Sequence, residues 1–195
     1  MKLQLFIEGQ GRSITLAEGE HVFRQGDREP RLFLVKDGHL KAYYLRGEDG
    51  REHIKSLVGP GSIISSTAAM EEGGTCTFSL AALGPASLVA VPFAAIAESA
   101  KSDLDLANEV IGFLMLFARR KEQREYELLC LSAEDRYLRF LEEQPAAAAE
   151  VSQADIAAYI GITPQALSRI KRRLAKRRSP LQGRQAASEG LPLFD

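Results

Sequence analysis

One segment leaves this chain few choices of fold: residues 151–178, "VSQADIAAYIGITPQALSRIKRRLAKRR". Ser152 followed three residues later by Asp155 has the capping-box form that opens a helix. Ile156, Ala157 and Ile160 then give that helix one apolar face. Gly161 can end it in a left-handed conformation, and Ile162 can plug the corner. Thr163 and Pro164 supply the N-cap and first-turn residues of a second helix, with Leu167, Ile170 and Leu174 as its buried stripe. A short helix, a tight glycine turn and a second helix starting at once describe a helix-turn-helix.

The buried stripe of the second helix leaves Gln165, Ser168, Arg169 and Arg172 on its opposite face. Glutamine pairs with adenine and arginine bidentately with guanine, while Thr163 and the helix N-terminus that opens at Pro164 suit a phosphate oxygen. Lys171, Arg173, Lys176, Arg177 and Arg178 add salt-sensitive attraction to the backbone of a nucleic acid. The charge distribution agrees. Residues 1–150 hold 17 Lys and Arg against 23 Asp and Glu, whereas 151–195 hold 8 against 3, so a polyanion partner belongs to the C-terminal part.

Upstream, the texture changes twice. The strand-like runs "HVFRQGD", "RLFLVKDGHLKAYYLR", "HIKSLV" and "SLVAVP" are separated by turns at Gly26-Asp27, Asp37-Gly38, 47–50 and "GPG". That spacing predicts an antiparallel β-barrel or jelly roll. From Phe93 to about Gln144 the only glycine is Gly112 and proline is absent, which predicts helix with a break near Ser132. "QPAAAAE" at 144–150 reads as a connector.

Within the helical region, Ala107, Val110, Leu114, Phe117, Lys121, Arg124, Leu128 and Leu131 step by threes and fours as a coiled-coil seam does. A second register, Leu104, Ala107, Ile111, Leu114, Ala118, Lys121, Glu125 and Leu128, fits equally and places opposite charges in the seam. The sequence does not choose between them. The expected architecture is α+β: a β-domain over 1–98, a long dimerisation helix over 99–131, a helix-turn-helix domain over 132–178 without a clear wing, and a disordered tail over 179–195.

Other classes find little support. No apolar run reaches the ~18 residues of a membrane span, and the N-terminus lacks the features of a signal peptide, so a cytoplasmic address and no membrane partner are expected. Cys76 and Cys130 stand far apart, which gives neither a disulfide framework nor a cluster site. His21, His39 and His53 are scattered, and no nucleophile or paired carboxylates form a catalytic constellation. The expectation is no enzyme, no cofactor and no metal.

Taken together, "HVFRQGD", "LFLVKDGHLKAYY", the "GPG" turn, "FARR" and "YIGITPQALSRIKRRLA" resemble the Crp/Fnr family of bacterial transcription regulators over residues 13–178. The resemblance implies a cyclic-nucleotide-binding-like domain, a homodimer joined by the long helix, and double-stranded DNA and RNA polymerase as partners. It also implies that Arg169 reads a guanine. Where the family's catabolite activator has Arg-Glu after the helix start, this chain has Pro164-Gln165, which implies a different operator.

Aligned from its "GPG" turn, "SIISSTAAMEEGGTCTF" at 62–78 matches the family's phosphate-binding cassette. Ser66 falls at the glutamate that holds the ribose and Cys76 at the arginine that pairs with the phosphate, with Thr77 at the neighbouring hydroxyl. Both charged nucleotide ligands are missing. Ser65, Ser66, Thr67, Cys76 and Thr77 remain candidates for a pocket. Three readings stay open: no ligand, a neutral or weakly polar effector, or a cyclic nucleotide. The expected function is a sequence-specific homodimeric transcription regulator whose effector is unknown and not cAMP. The alternative is a non-specific nucleic-acid or protein-binding scaffold with a vestigial ligand domain.

Overall fold

The computed structural model describes residues 2–45, 50 and 52–185, and of 178–185 the backbone. Eight strands form two antiparallel sheets, so the α+β architecture with an N-terminal jelly-roll-like β-domain holds. The first sheet runs β1 (Arg12–Leu16), β8 (Ala86–Pro92), β3 (Arg31–Asp37), β6 (Ile63–Ile64). The second runs β2 (His21–Phe23), β7 (Ser79–Ala82), β4 (Leu40–Leu45), β5 (Glu52–Val58). Gly38 makes the tight β3–β4 turn with φ +79°, and a side chain there would strike the Pro85 carbonyl, 2.4 Å from an added Cβ.

Alternation along the strands sends one set of residues inward. Phe23, Phe33, Val35, Leu40, Val58, Phe78, Leu80 and Leu88 fill the space between the sheets. The opposite set is also buried, which explains the nearly continuous apolar run of β3. Leu32, Leu34, Val89 and Val91 cover the outer face of the first sheet, packed under α1 (Lys2–Gln10), α2 (Phe93–Ala100) and α3 (Leu104–Cys130). Tyr43, Ile54 and Ala81, from the second sheet, share a core with the C-terminal helices.

Several elements differ from the sequence expectation. α1 was not foreseen: Leu3 and Ile7 are fully buried, and the backbone N–H groups of Lys2 and Leu3 donate to the Glu109 carboxylate at 2.7 and 2.8 Å. That carboxylate on α3 takes the part of an N-cap. The helical region divides at 101–103 as well as at Ser132, because Asp103 caps α3 by accepting from the Leu106 N–H at 3.0 Å. α4 (Ala133–Glu143) then starts at Ser132, whose hydroxyl accepts from the Asp135 N–H at 3.2 Å.

"PAAAAE" is not an irregular connector but α5 (Pro145–Glu150), with proline in its first turn and alanines after it. α6 (Gln153–Ile160) and α7 (Pro164–Gln185) complete the chain, and no strand follows β8 among the described residues. The backbone of α7 continues seven residues past 178, so the first part of the expected tail is helical. The rest, 186–195, lies outside the described residues.

Candidate nucleic-acid interface and sensor face

The turn between α6 and α7 is built from local signals. At its entrance the Ser152 hydroxyl accepts from the Asp155 N–H at 3.1 Å and donates to the Asp155 carboxylate at 2.5 Å. At its exit Gly161 adopts φ +83°, and the N–H groups of Gly161 and Ile162 both reach the Ala157 carbonyl at 3.0 Å. This left-handed stop closes α6 and turns the chain for α7. The Thr163 hydroxyl then accepts from the Ala166 N–H at 3.2 Å, capping α7.

Leu167 and Ile170 bury against Ile156, Ala157 and Ile160, which fixes how α7 rolls on α6. Thr163, Pro164, Gln165, Ser168, Arg169, Lys171 and Arg172 are consequently all exposed, on the side and end of α7 away from the core. Lys171 donates to the Gln153 side chain at 2.7 Å, which ties it to the start of α6. The basic run is not all free for a polyanion. Arg173 and Arg177 both pair with Glu134 in the first turn of α4, the latter at 2.6 Å, so these two hold α7 to α4.

A second group of charged residues anchors α6 from behind. The Arg124 guanidinium lies 4.0 Å from the centroid of the Tyr159 ring, donates to the Tyr159 carbonyl and reaches Glu127 at 3.3 Å. Arg136 donates to the Ile160 carbonyl at 2.9 Å and to the Leu131 carbonyl at 2.6 Å. Two arginines thus satisfy the free carbonyls at the C-terminal end of α6, where a positive charge also suits the helix dipole. Arg139 meets Glu127 at 3.3 Å, so a nearly buried carboxylate sits among cations at the junction of α3 and α4. Sequence reasoning missed this cluster, having assigned Arg124 to a seam.

α6 also docks on the β-domain of its own chain. Tyr43, Ile54 and Ala81 join Tyr137, Phe140, Ile156, Tyr159 and Ile160 in one apolar core. Around it, Lys41 reaches Asp155 at 3.5 Å and pairs with Glu52. His39 Nδ1 lies 2.8 Å from the Glu150 carboxylate, an approach too poorly aligned to be a hydrogen bond. The second sheet of the β-domain, through β4, β5 and β7, therefore touches the first helix of the helix-turn-helix directly.

The cassette is closed on itself. The Ser65 hydroxyl donates to the Arg31 carbonyl at 2.8 Å, and that of Ser66 accepts from the Thr77 N–H at 3.2 Å. Both serines are buried. Cys76 lies in the core between the sheets with Phe23 and Phe78, and burial pushes its thiol up. The geometry brings Ser66 beside Cys76 and Thr77 but spends their polar atoms within the protein, while Thr67 and Thr77 face outward. Among the described residues no three His, Cys, Asp or Glu side chains are placed to hold a metal ion, and no helix is long and apolar enough to cross a membrane.

α3 presents two faces. Leu106, Val110 and Phe113 pack inward on the first sheet and its helices. Leu104, Ile111, Leu114, Met115, Leu128 and Leu129 are exposed, Leu129 by 76%. The first seam register spends Val110, Phe117 and Arg124 on this face of the protomer's own structure, so it is excluded as a free seam. The second register, by contrast, lies on the uncovered side.

Comparison with known proteins agrees with this layout. The cyclic nucleotide-binding domain model matches residues 13–103. The nitrogen fixation regulation protein FixK of Bradyrhizobium diazoefficiens is 26% identical over 173 residues, covering 83% of this chain and 71% of that protein. The structure of FixK2 from Bradyrhizobium japonicum superposes with a TM-score of 0.76 at 21% identity, over 86% of this chain and 85% of that one. The c-di-GMP responsive global regulator CLP of Xanthomonas campestris superposes at 0.70 and 18% identity, over 90% and 92%. The likeness runs from the β-domain through the long helix into the helix-turn-helix: the chain carries a cyclic nucleotide-binding domain, is similar to FixK over most of its length, and shares the fold of FixK2 and CLP.

Proposed function

We propose that this protein is a homodimeric regulator of transcription that binds a specific DNA site through α7. The observation that carries the reading is the exposed set Gln165, Ser168, Arg169 and Arg172 on a helix fixed in place by Leu167 and Ile170. In a major groove Arg169 reads a guanine bidentately and Gln165 an adenine, while Thr163 and the N–H groups at the start of α7 take a phosphate. Lys171 and Arg172 add backbone attraction.

The uncovered α3 face supports the dimer. It extends from Leu104 to Leu128, about 36 Å of helix, with leucine, isoleucine and methionine exposed along it. A dimer that reads two half-sites needs its two α7 helices about 34 Å apart, one turn of DNA. RNA polymerase is a further partner of such a regulator, and the protein acts in the cytoplasm. The effector is not a cyclic nucleotide: the cassette offers a phosphate no basic side chain, and Ser65, Ser66 and Cys76 point into the protein.

Selection from a randomised duplex pool tests the reading. A palindromic consensus, relaxed at one base pair per half-site in Arg169→Ala, is the expected result. Equal affinity for unrelated duplexes, falling with salt alone, would favour the non-specific scaffold instead.

A further inference from the structure

Among the described residues, no carboxylate pairs with Lys55 on β5. Its ammonium stands 3.9 Å from the centroid of the Phe78 ring, with the rings of Tyr44 and Phe117 at 5.7 and 5.9 Å. Aromatic faces attract a cation without neutralising it. The charged neighbour that acts on Lys55 is another cation, Lys121, one turn beyond Phe117 on α3. Burial first, and Lys121 second, push Lys55 down to about 8. Lys55 therefore stands beside the turn of α3 that runs from Phe117 to Lys121.

The exposed face of α3 carries the complement. Leu104, Ile111, Ala118 and Glu125 follow one another at seven-residue steps, and all are exposed. A row at that spacing faces its own copy in a parallel two-stranded pair. The pair must be parallel for both helix-turn-helix units to lie at the same end, on the same DNA. In knobs-into-holes packing a knob at Glu125 enters a hole whose rim includes the residue four positions earlier on the opposite helix, which is Lys121.

We propose that Glu125 of the partner subunit enters the Lys55–Lys121 site, so that each copy of the chain supplies a carboxylate to the other's Lys55. This rests on the dimer reading above. Each β-domain is then bound through β5 to the long helix of the opposite copy. A shift of β5 in one sensor domain is felt by the partner's α3, and through it by the paired α7 helices.

Sedimentation of the full chain over a concentration series tests the site. The wild type is expected to dimerise, and Glu125→Gln to raise the dimer Kd about tenfold. In a Lys55→Met, Lys121→Gln background the same change is expected to cost less than about twofold, because the charges that Glu125 serves are gone. A second measurement leaves the cationic pair intact: raising salt should weaken the wild-type dimer and leave Glu125→Gln much less affected. An equal penalty for Glu125→Gln in both backgrounds, or an unchanged salt dependence, overturns the site and leaves the dimer standing. A wild type that stays monomeric at every concentration overturns both.

Discussion

Arg124 lies over the Tyr159 ring, its guanidinium 4.0 Å from the centroid, and donates to the carbonyl of the same residue. The long helix thereby grips the first helix of the helix-turn-helix near its C-terminal end, two residues before the glycine that turns the chain.

Arg124→Ala removes that grip and leaves Glu127, which is nearly buried, with one cation fewer. Loss of one partner from such a cluster costs about 3 kcal/mol. Hydrogen exchange should show faster opening of α6 and α7 with the β-sheets unaffected, and DNA affinity should fall without a change in base preference.

Gly161→Ala forces a side chain into φ +83° at the turn. The nearest atom to the added Cβ is a Leu128 methyl at 3.7 Å, so space is adequate and backbone strain alone acts. A loss of about 1–2 kcal/mol follows, measurable by denaturant titration.

Arg169→Ala and Lys171→Ala separate two kinds of contact. The first should cost about 1–3 kcal/mol at one base pair and relax specificity there, measured by competition between operator variants. The second should weaken all sequences alike and lower the salt slope by about one unit.

Titration of cAMP and cGMP by calorimetry should give no heat of binding in the micromolar range. Ser66 and Cys76 face each other where the family holds a nucleotide's hydroxyl and phosphate, and neither brings a charge.

Dimer affinity should depend on pH through Lys55, which the protomer holds down at about 8. Pairing with the partner subunit's Glu125 raises that value in the dimer. The added affinity is therefore complete below about pH 8 and is lost as pH rises through the dimer's value. Among the described residues, the titratable groups facing Lys55 are Lys121 of α3 and Tyr44 of β4, whose hydroxyl is itself pushed up by burial. Sedimentation at about pH 7 and about pH 9.5 should show the weakening, and Lys55→Met should flatten it.

The helix-turn-helix was legible because its determinants are local: a serine and an aspartate three apart, a glycine, a proline, and an apolar stripe within one segment. α5 was legible too, from Pro145 and the alanines after it, but was passed over as a connector. α1 was not, since only two of its residues, Leu3 and Ile7, are buried, and its N-terminal cap comes from Glu109, more than a hundred positions away. The choice between seam registers was equally non-local. Val110 of one register looks as apolar as Ile111 of the other, and only packing beneath α1 and β8 decides which is spent at home.

Tyr43, Ile54 and Ala81 read as ordinary strand residues, and nothing near them in the chain says what covers them. What covers them is the helix-turn-helix, and this bears on dissection of the protein. A fragment cut at residue 132 would keep every side chain proposed to contact DNA yet leave Ile156, Tyr159 and Ile160 facing water where the sheet had been. The boundary visible in the sequence is no seam for folding. Grafting this reading head onto another sensor requires carrying over the strand face on which it was closed.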